Sequence, residues 1–161
     1  MRGFVGLIGL AVLLFVSSGC ARPEPVTHSA VVTFKTPGFR IHDTAFVTVQ
    51  GRDIAIVVYN AGTPVFDIST GSMVCINGKC LSDDEFIADY LSPYYPSRIF
   101  SRIAAKEVLE MDGSTMQKRP DGFVQHIKVD GQYDIDYIVK RNEVFFRDRA
   151  NNIIIAIREL E

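Results

Sequence analysis

The chain has 161 residues, 47% of them apolar, with a formal charge of −2 and three cysteines. That length suits one domain. The 22% of charged residues is ordinary for a globular chain, which excludes wholesale disorder, and the absence of a basic excess argues against a nucleic-acid partner.

The apolar residues crowd the start. Met1-Arg2-Gly3 carries one positive charge, and Phe4 to Val16 follows as thirteen residues without a charge. A bilayer core of about 30 Å needs about 20 apolar residues, so this run is too short to span. It has the length of a signal-peptide core. The run ends in Val16-Ser17-Ser18-Gly19-Cys20. Small residues before a cysteine resemble the lipobox of bacterial lipoproteins, with Ser17 where leucine is usual. That resemblance implies cleavage before Cys20 and lipidation of its thiol; the alternative is a plain secretory signal with a chance cysteine. Ala21 rather than aspartate after Cys20 implies, by the sorting rule of such lipoproteins, the outer membrane. The expected division is signal peptide 1–19, lipidated cysteine and tether 20–29, and a domain at 30–161. Residues 21–29 contain two prolines and no periodicity, and stretch to about 30 Å at most. A lipid anchor in the membrane is therefore the first expected partner.

The mature chain opens with β patterning. Val31–Lys35, Phe39–Ile41 and Ala45–Gln50 are expected strands, interrupted at Pro37-Gly38. Ile54–Tyr59 is apolar on both alternating faces, Asn60-Ala61-Gly62-Thr63-Pro64 breaks it, and Val65–Ser69 continues. Cys75 and Cys80 then flank Asn77-Gly78, the strongest two-residue hairpin signal, because both turn residues need positive φ. That turn places Cys75 opposite Cys80 at a spacing a disulfide can close, and export would allow oxidation. A redox or metal pair is the alternative, but four residues separate the cysteines and His28, His42 and His126 are scattered.

One central stretch is helical. Ser82 is an expected N-cap with Glu85 as its capping-box partner, and Phe86, Ile87, Tyr90 and Leu91 form an apolar stripe ended by Pro93. Pro96 or Ser97 opens a second helix through Ala105, with Ile99, Phe100 and Ile103 on one face. Residues 111–121 read as a polar loop. Strands return at Gly122–Val129, Gln132–Arg141, Val144–Arg147 and Ile153–Leu160, linked by tight turns. The expected fold is mainly β (α+β): a curved antiparallel sheet forming an open half-barrel, capped by two short helices around residues 83–105. Strands apolar on both faces require cover on both faces.

No catalytic constellation stands out. G-x-S-x-G, H-E-x-x-H, the P-loop and G-x-G-x-x-G are all missing from the sequence, so catalytic residues, metal ligands and cofactors are not expected. Asp134 and Asp136 share a strand face and read as a solvated surface, as Asp83-Asp84-Glu85 reads as a helix start. Beyond Cys20 the chain has nine Phe and six Tyr, spread over nearly every element. Each is an ordinary core candidate. Together with the strands apolar on both sides, they could line an acyl-chain cavity.

The order of parts resembles the LolA/LolB-type lipoprotein carriers, most of all the outer-membrane receptor branch, LolB. Ile54–Ile68 resembles that family's strand–loop–strand; Leu81–Phe86 and Tyr95–Phe100 resemble its two cavity-closing helices; Gly122–Gln125 and Ile135–Tyr137 resemble the strands that follow. The resemblance spans residues 30–161. It implies an acyl-chain cavity lined by Ile56, Val58, Phe66, Phe100, Phe123 and Tyr137, and a protruding loop of Tyr59, Asn60, Ala61, Gly62, Thr63 and Pro64. Ala61 stands where the family carries an exposed leucine tied to membrane insertion. The implied partners are a LolA-like periplasmic carrier and its lipoprotein cargo, met by a monomer facing the periplasm. The competing reading is an immunoglobulin-like β-sandwich lipoprotein acting as an interaction module. Replacing Cys20 with alanine should abolish acyl labelling of the chain and release it from the membrane fraction.

Overall fold

The computed structural model describes residues 23–161; the expected signal peptide and Cys20 lie outside the described residues. Six strands come first: β1 (Val26–Lys35), β2 (Arg40–Gln50), β3 (Asp53–Asn60), β4 (Thr63–Ser69), β5 (Val74–Ile76) and β6 (Lys79–Leu81). Two helices follow, α1 (Asp83–Tyr90) and α2 (Ile99–Ala104). Five strands close the chain: β7 (Ser114–Arg119), β8 (Gly122–Val129), β9 (Tyr133–Lys140), β10 (Glu143–Asp148) and β11 (Ile153–Glu159).

All eleven strands join one antiparallel sheet, ordered β6-β5-β4-β3-β2-β1-β11-β10-β9-β8-β7. Two meanders are thus stitched together by β1 and β11, through register pairs from Ala30↔Glu159 to Lys35↔Ile154. The sheet stays open, with β6 and β7 as its edges. An open sheet capped by two helices is the expected class, and the two-sheet sandwich geometry of the competing reading is not what the strands form.

Alternation sets the inner face. Tyr133, Ile135, Tyr137 and Val139 of β9 are buried, and so are Val144 and Phe146 of β10 and Ile153, Ile155 and Ile157 of β11. One cross-strand row runs Phe34, Ile155, Phe146, Tyr137. α1 and α2 cover this face with Phe86, Ile87, Ile99, Phe100 and Ile103, all buried. The outer face is only half-buried and has no second layer among the described residues, which corrects the expectation of cover on both sides. Ile154 sits between Lys35 and Arg147, whose alkyl stems can shield it. Ala156 sits between Thr33 and Phe145, so a small side chain there leaves little surface to hide.

Several boundaries differ from expectation. β1 begins at Val26, inside the expected tether, because Val26 to Ser29 pair with Val49 to Phe46 of β2. Phe39–Ile41 and Ala45–Gln50 belong to one strand except for Phe39, which closes the link by accepting from the Thr36 N–H at 3.0 Å. Residues 114–119 are not loop but strand β7, every residue exposed. An edge strand with nothing to bury shows no alternation, and Lys118 and Arg119 keep that edge soluble. α2 starts at Ile99 rather than at Pro96 or Ser97, because Arg98 takes a left-handed conformation (φ 63°). The Ser82–Glu85 capping box forms as expected. Its hydroxyl and backbone N–H hold the Glu85 carboxyl below the usual carboxylate range.

The cysteine hairpin is the one the sequence implies. Asn77 and Gly78 take φ of 48° and 79°, and Cys75 pairs with Cys80, joined by a disulfide at a Cα–Cα distance of 3.9 Å. Asn77 also fixes the tip to β4, its N–H donating to the Asp67 carbonyl and its Oδ1 accepting from the Asp67 N–H, both at 3.0 Å. Replacing both cysteines with alanine should lower stability by about 2 kcal/mol, the loop-entropy value for so short a ring. The check is a urea midpoint that falls while the slope stays constant.

Candidate functional site

The inner face under the helices is aromatic. Phe34 of β1, Phe66 of β4 and Phe39 of the β1–β2 link meet Phe86 and Tyr90 of α1 and Phe100 of α2. Neighbouring rings in this group stand between 5.2 and 6.4 Å apart. Gly38 makes room for it: a Cβ there would come within 2.2 Å of the Tyr90 ring. A second group joins Phe123 to Tyr137, Tyr137 to Phe146 and Phe146 to Tyr95, at 5.6, 6.2 and 5.9 Å.

The predicted cavity residues fall into these groups. Ile56, Val58 and Phe66 lie on the inner face of β3 and β4, with Phe100 reaching them through Phe34; all are buried. Tyr137 is buried and Phe123 is half-buried beside it. The six side chains are packed into the interior. Two surface grooves are lined by other, mostly polar residues. One, of about 400 Å³, lies among Arg52, Ser97, Arg98, Ser101, Arg102, Glu107 and Glu110, and the other among Lys35–Arg40 with Asn151 and Asn152. The space over this face is held by Phe86, Tyr90 and Phe100. Phe34, Phe39, Phe86 and Phe146 complete the site; Phe86 was expected on the apolar stripe of the first helix, and the other three were visible in the sequence only as undifferentiated aromatics.

Polar pins tie the helical segment to the sheet. Asp148, on the inner end of β10 and 1% exposed, accepts hydrogen bonds at both carboxylate oxygens. Oδ1 takes the N–H groups of Asp134, Ala150 and Asn151 at 3.1, 2.9 and 3.3 Å. Oδ2 takes the Tyr95 hydroxyl at 2.5 Å and the Asn151 amide at 2.6 Å. Tyr95 stands in the corner between α1 and α2, and burial together with this carboxylate holds its phenol protonated. Tyr137 donates to the Glu107 and Ile103 carbonyls at 3.0 and 3.4 Å, fixing the end of α2. Gln125, buried on β8, brackets Leu109: its Nε2 donates to the Leu109 carbonyl at 2.5 Å and its Oε1 accepts the Leu109 N–H at 3.1 Å. Sequence reading missed Asp148 and Gln125, since a lone polar residue in a strand gives no sign that it points inward.

The expected protruding loop is a tight hairpin. Tyr59 and Asn60 belong to β3 and Thr63 and Pro64 to β4, leaving Ala61 and Gly62 as a two-residue turn with φ of 48° and 81°. The register slips between Val58 and Tyr59, so Val65 is left over as a bulge. The tip is apolar on its outer side. Phe46, Tyr59 and Val65 are 50%, 41% and 54% exposed, and the Phe46 and Tyr59 rings meet edge to face at 5.7 Å. Asp134 and Asp136, read as a solvated face, are paired there with Arg149, and His126 reaches Asp136 at 2.7 Å.

No family model, curated protein or solved structure matches this chain. What the fold itself defines is an open, mainly β half-barrel with a helical cover. Asp148→Asn should cost about 3 kcal/mol, because an amide nitrogen replaces an acceptor among buried donors. Tyr95→Phe should cost only about 1 kcal/mol, removing one hydrogen bond, and both are read as shifts in the urea midpoint.

Proposed function

We propose that this chain is a membrane-anchored acceptor of acyl chains, of the LolB-like lipoprotein-carrier type. It takes the lipid moiety of an exported lipoprotein from a soluble LolA-like carrier and passes it to the outer membrane. One observation carries the reading: among the described residues, the aromatic inner face of a single open sheet is covered by two helices of just eight and six residues and the segments beside them. Helices that short do not hold their shape alone. Lifting them would uncover Phe34, Phe66 and the lid's own Phe86 and Phe100 as one continuous apolar surface.

The energetics suit such an exchange. Each buried CH₂ is worth about 0.8 kcal/mol, so a chain of some 14 methylenes gains over ~10 kcal/mol by leaving water. That gain is comparable with the burial of the few large side chains that must move, at about 1.5–3 kcal/mol each. A closed, self-filled interior keeps the face dry when empty and yields when an acyl chain competes for it. Transfer then needs no chemical energy, provided affinity rises from carrier to acceptor to bilayer.

A photo-crosslinking amino acid at Phe66 or Phe100 tests this in cells. The expected adducts are lipidated cargo and the soluble carrier, with none from an unlipidated cargo variant. No capture at either position, with normal lipoprotein sorting after depletion of the chain, would overturn the reading.

A further inference from the structure

The position of the first described residues orients the domain. The Pro23 carbonyl accepts from the Gln50 side chain at 3.0 Å, and the Pro23 ring lies 3.4 Å from where a Cβ on Gly51 would stand. The incoming chain is thus held against the β2–β3 turn. Cys20 is three residues earlier, so a lipid on it starts within about 10 Å of Pro23. Arg52 follows Gly51 and lines a groove of about 400 Å³, together with Arg98, Arg102, Ser97, Glu107 and Glu110.

The charges in that groove are unevenly committed. Glu107 pairs with Arg52 at 3.2 Å and with Arg102 at 3.6 Å, while Glu110 pairs with Arg102 at 3.3 Å. Arg98 is exposed, its backbone N–H donates to Asp83, and no described carboxylate pairs with its guanidinium. The guanidiniums of Arg52 and Arg102 are thus taken up by Glu107 and Glu110, while the Asp83 and Asp84 carboxylates are held by the Arg98 backbone N–H and the Ser97 hydroxyl, leaving the Arg98 guanidinium facing the groove. Lys140 and Arg141 lie at the same end of the sheet, at the β9–β10 turn. Arginine is the side chain best shaped to grip phosphate oxygens.

We propose that the Arg52–Arg98–Arg102 groove binds the phosphate of a phospholipid headgroup in the leaflet that holds the Cys20 anchor. This goes beyond acyl acceptance and rests only on lipidation of Cys20. The two features act together: the anchor sets the distance and the groove sets the tilt. The domain stands with its β2–β3 end on the membrane, and the apolar β3–β4 tip lies about 25 Å away along β3. In this pose the outer-side patch of Phe46, Tyr59 and Val65 faces away from the anchoring leaflet.

The test uses the lipidated protein reconstituted in vesicles of phosphatidylethanolamine and phosphatidylglycerol, its Cys20 modification first read by mass. A photo-crosslinking residue at Ser97 should give phospholipid adducts about tenfold above one at Thr63, at the far tip. Arg98→Gln alone, which breaks no ion pair, and Arg52→Gln with Arg98→Gln should cut the Ser97 yield several-fold, most at low salt. A millimolar excess of inorganic phosphate should leave the adduct intact. Equal yields from Ser97 and Thr63, indifference to both variants, or loss of the adduct to free phosphate would each overturn the proposal, as would an unmodified Cys20. Capture at Phe66 is read separately, so failure of the headgroup site and failure of acyl acceptance are distinguishable.

Discussion

An open sheet with an apolar inner face must find cover for it, and in this chain two very short helices supply that cover. The dependence runs both ways. α1 and α2 are too short to persist in water alone, and they exist because Phe86, Ile87, Ile99, Phe100 and Ile103 bury against the sheet. The sheet in turn cannot dry Phe34, Phe66 or Phe146 by closing on itself, because β6 and β7 remain its free edges.

That arrangement divides labour between two kinds of contact. Apolar packing over β1–β4 is non-directional. The hydrogen bonds of Asp148, Tyr137 and Gln125 are directional, and they gather on β8–β10. They hold the corner at Tyr95, the end of α2 and the chain at Leu109. The cover is therefore held by directional hydrogen bonds on one half of the sheet and by apolar packing on the other. In the proposed function, α1, with Phe86 and Tyr90, is the element that yields to an acyl chain, and the Tyr95 corner is the fixed point about which it turns. Gly38 makes room for the Tyr90 ring at the last residue of α1, before that corner.

The ends of the barrel differ as well. One receives the chain at Pro23 beside arginines and a groove, and the other carries the two-residue tip with exposed Tyr59 and Val65. The tip expected as a protruding loop is a two-residue hairpin, because Ala61 and Gly62 take left-handed φ and the ladder runs to Asn60↔Thr63. Pro64 fits there because β5 pairs only with Ile68 and Ser69, leaving β4 unpaired on that side at Pro64.

Local chemistry was legible without coordinates. Asn77-Gly78 between two cysteines permits one hairpin, Ser82 and Glu85 start a helix by capping its free N–H groups, and the alternation of β9 marks its buried side. These follow from neighbours in the chain. The polar strand β7 and the start of β1 at Val26 were not legible, because their only reason to be strands is the strand beside them. The sequence could likewise show that Phe and Tyr are plentiful, but only the tertiary structure decided that Phe34, Phe66, Phe86 and Phe100 meet under one cover. It also decided that Asp148 and Gln125 turn inward and that Pro23 is pinned beside Arg52. The physical reason is separation: contacts within a turn are set by local dihedrals, whereas these residues stand tens of positions apart and meet only once the strand order and register are fixed.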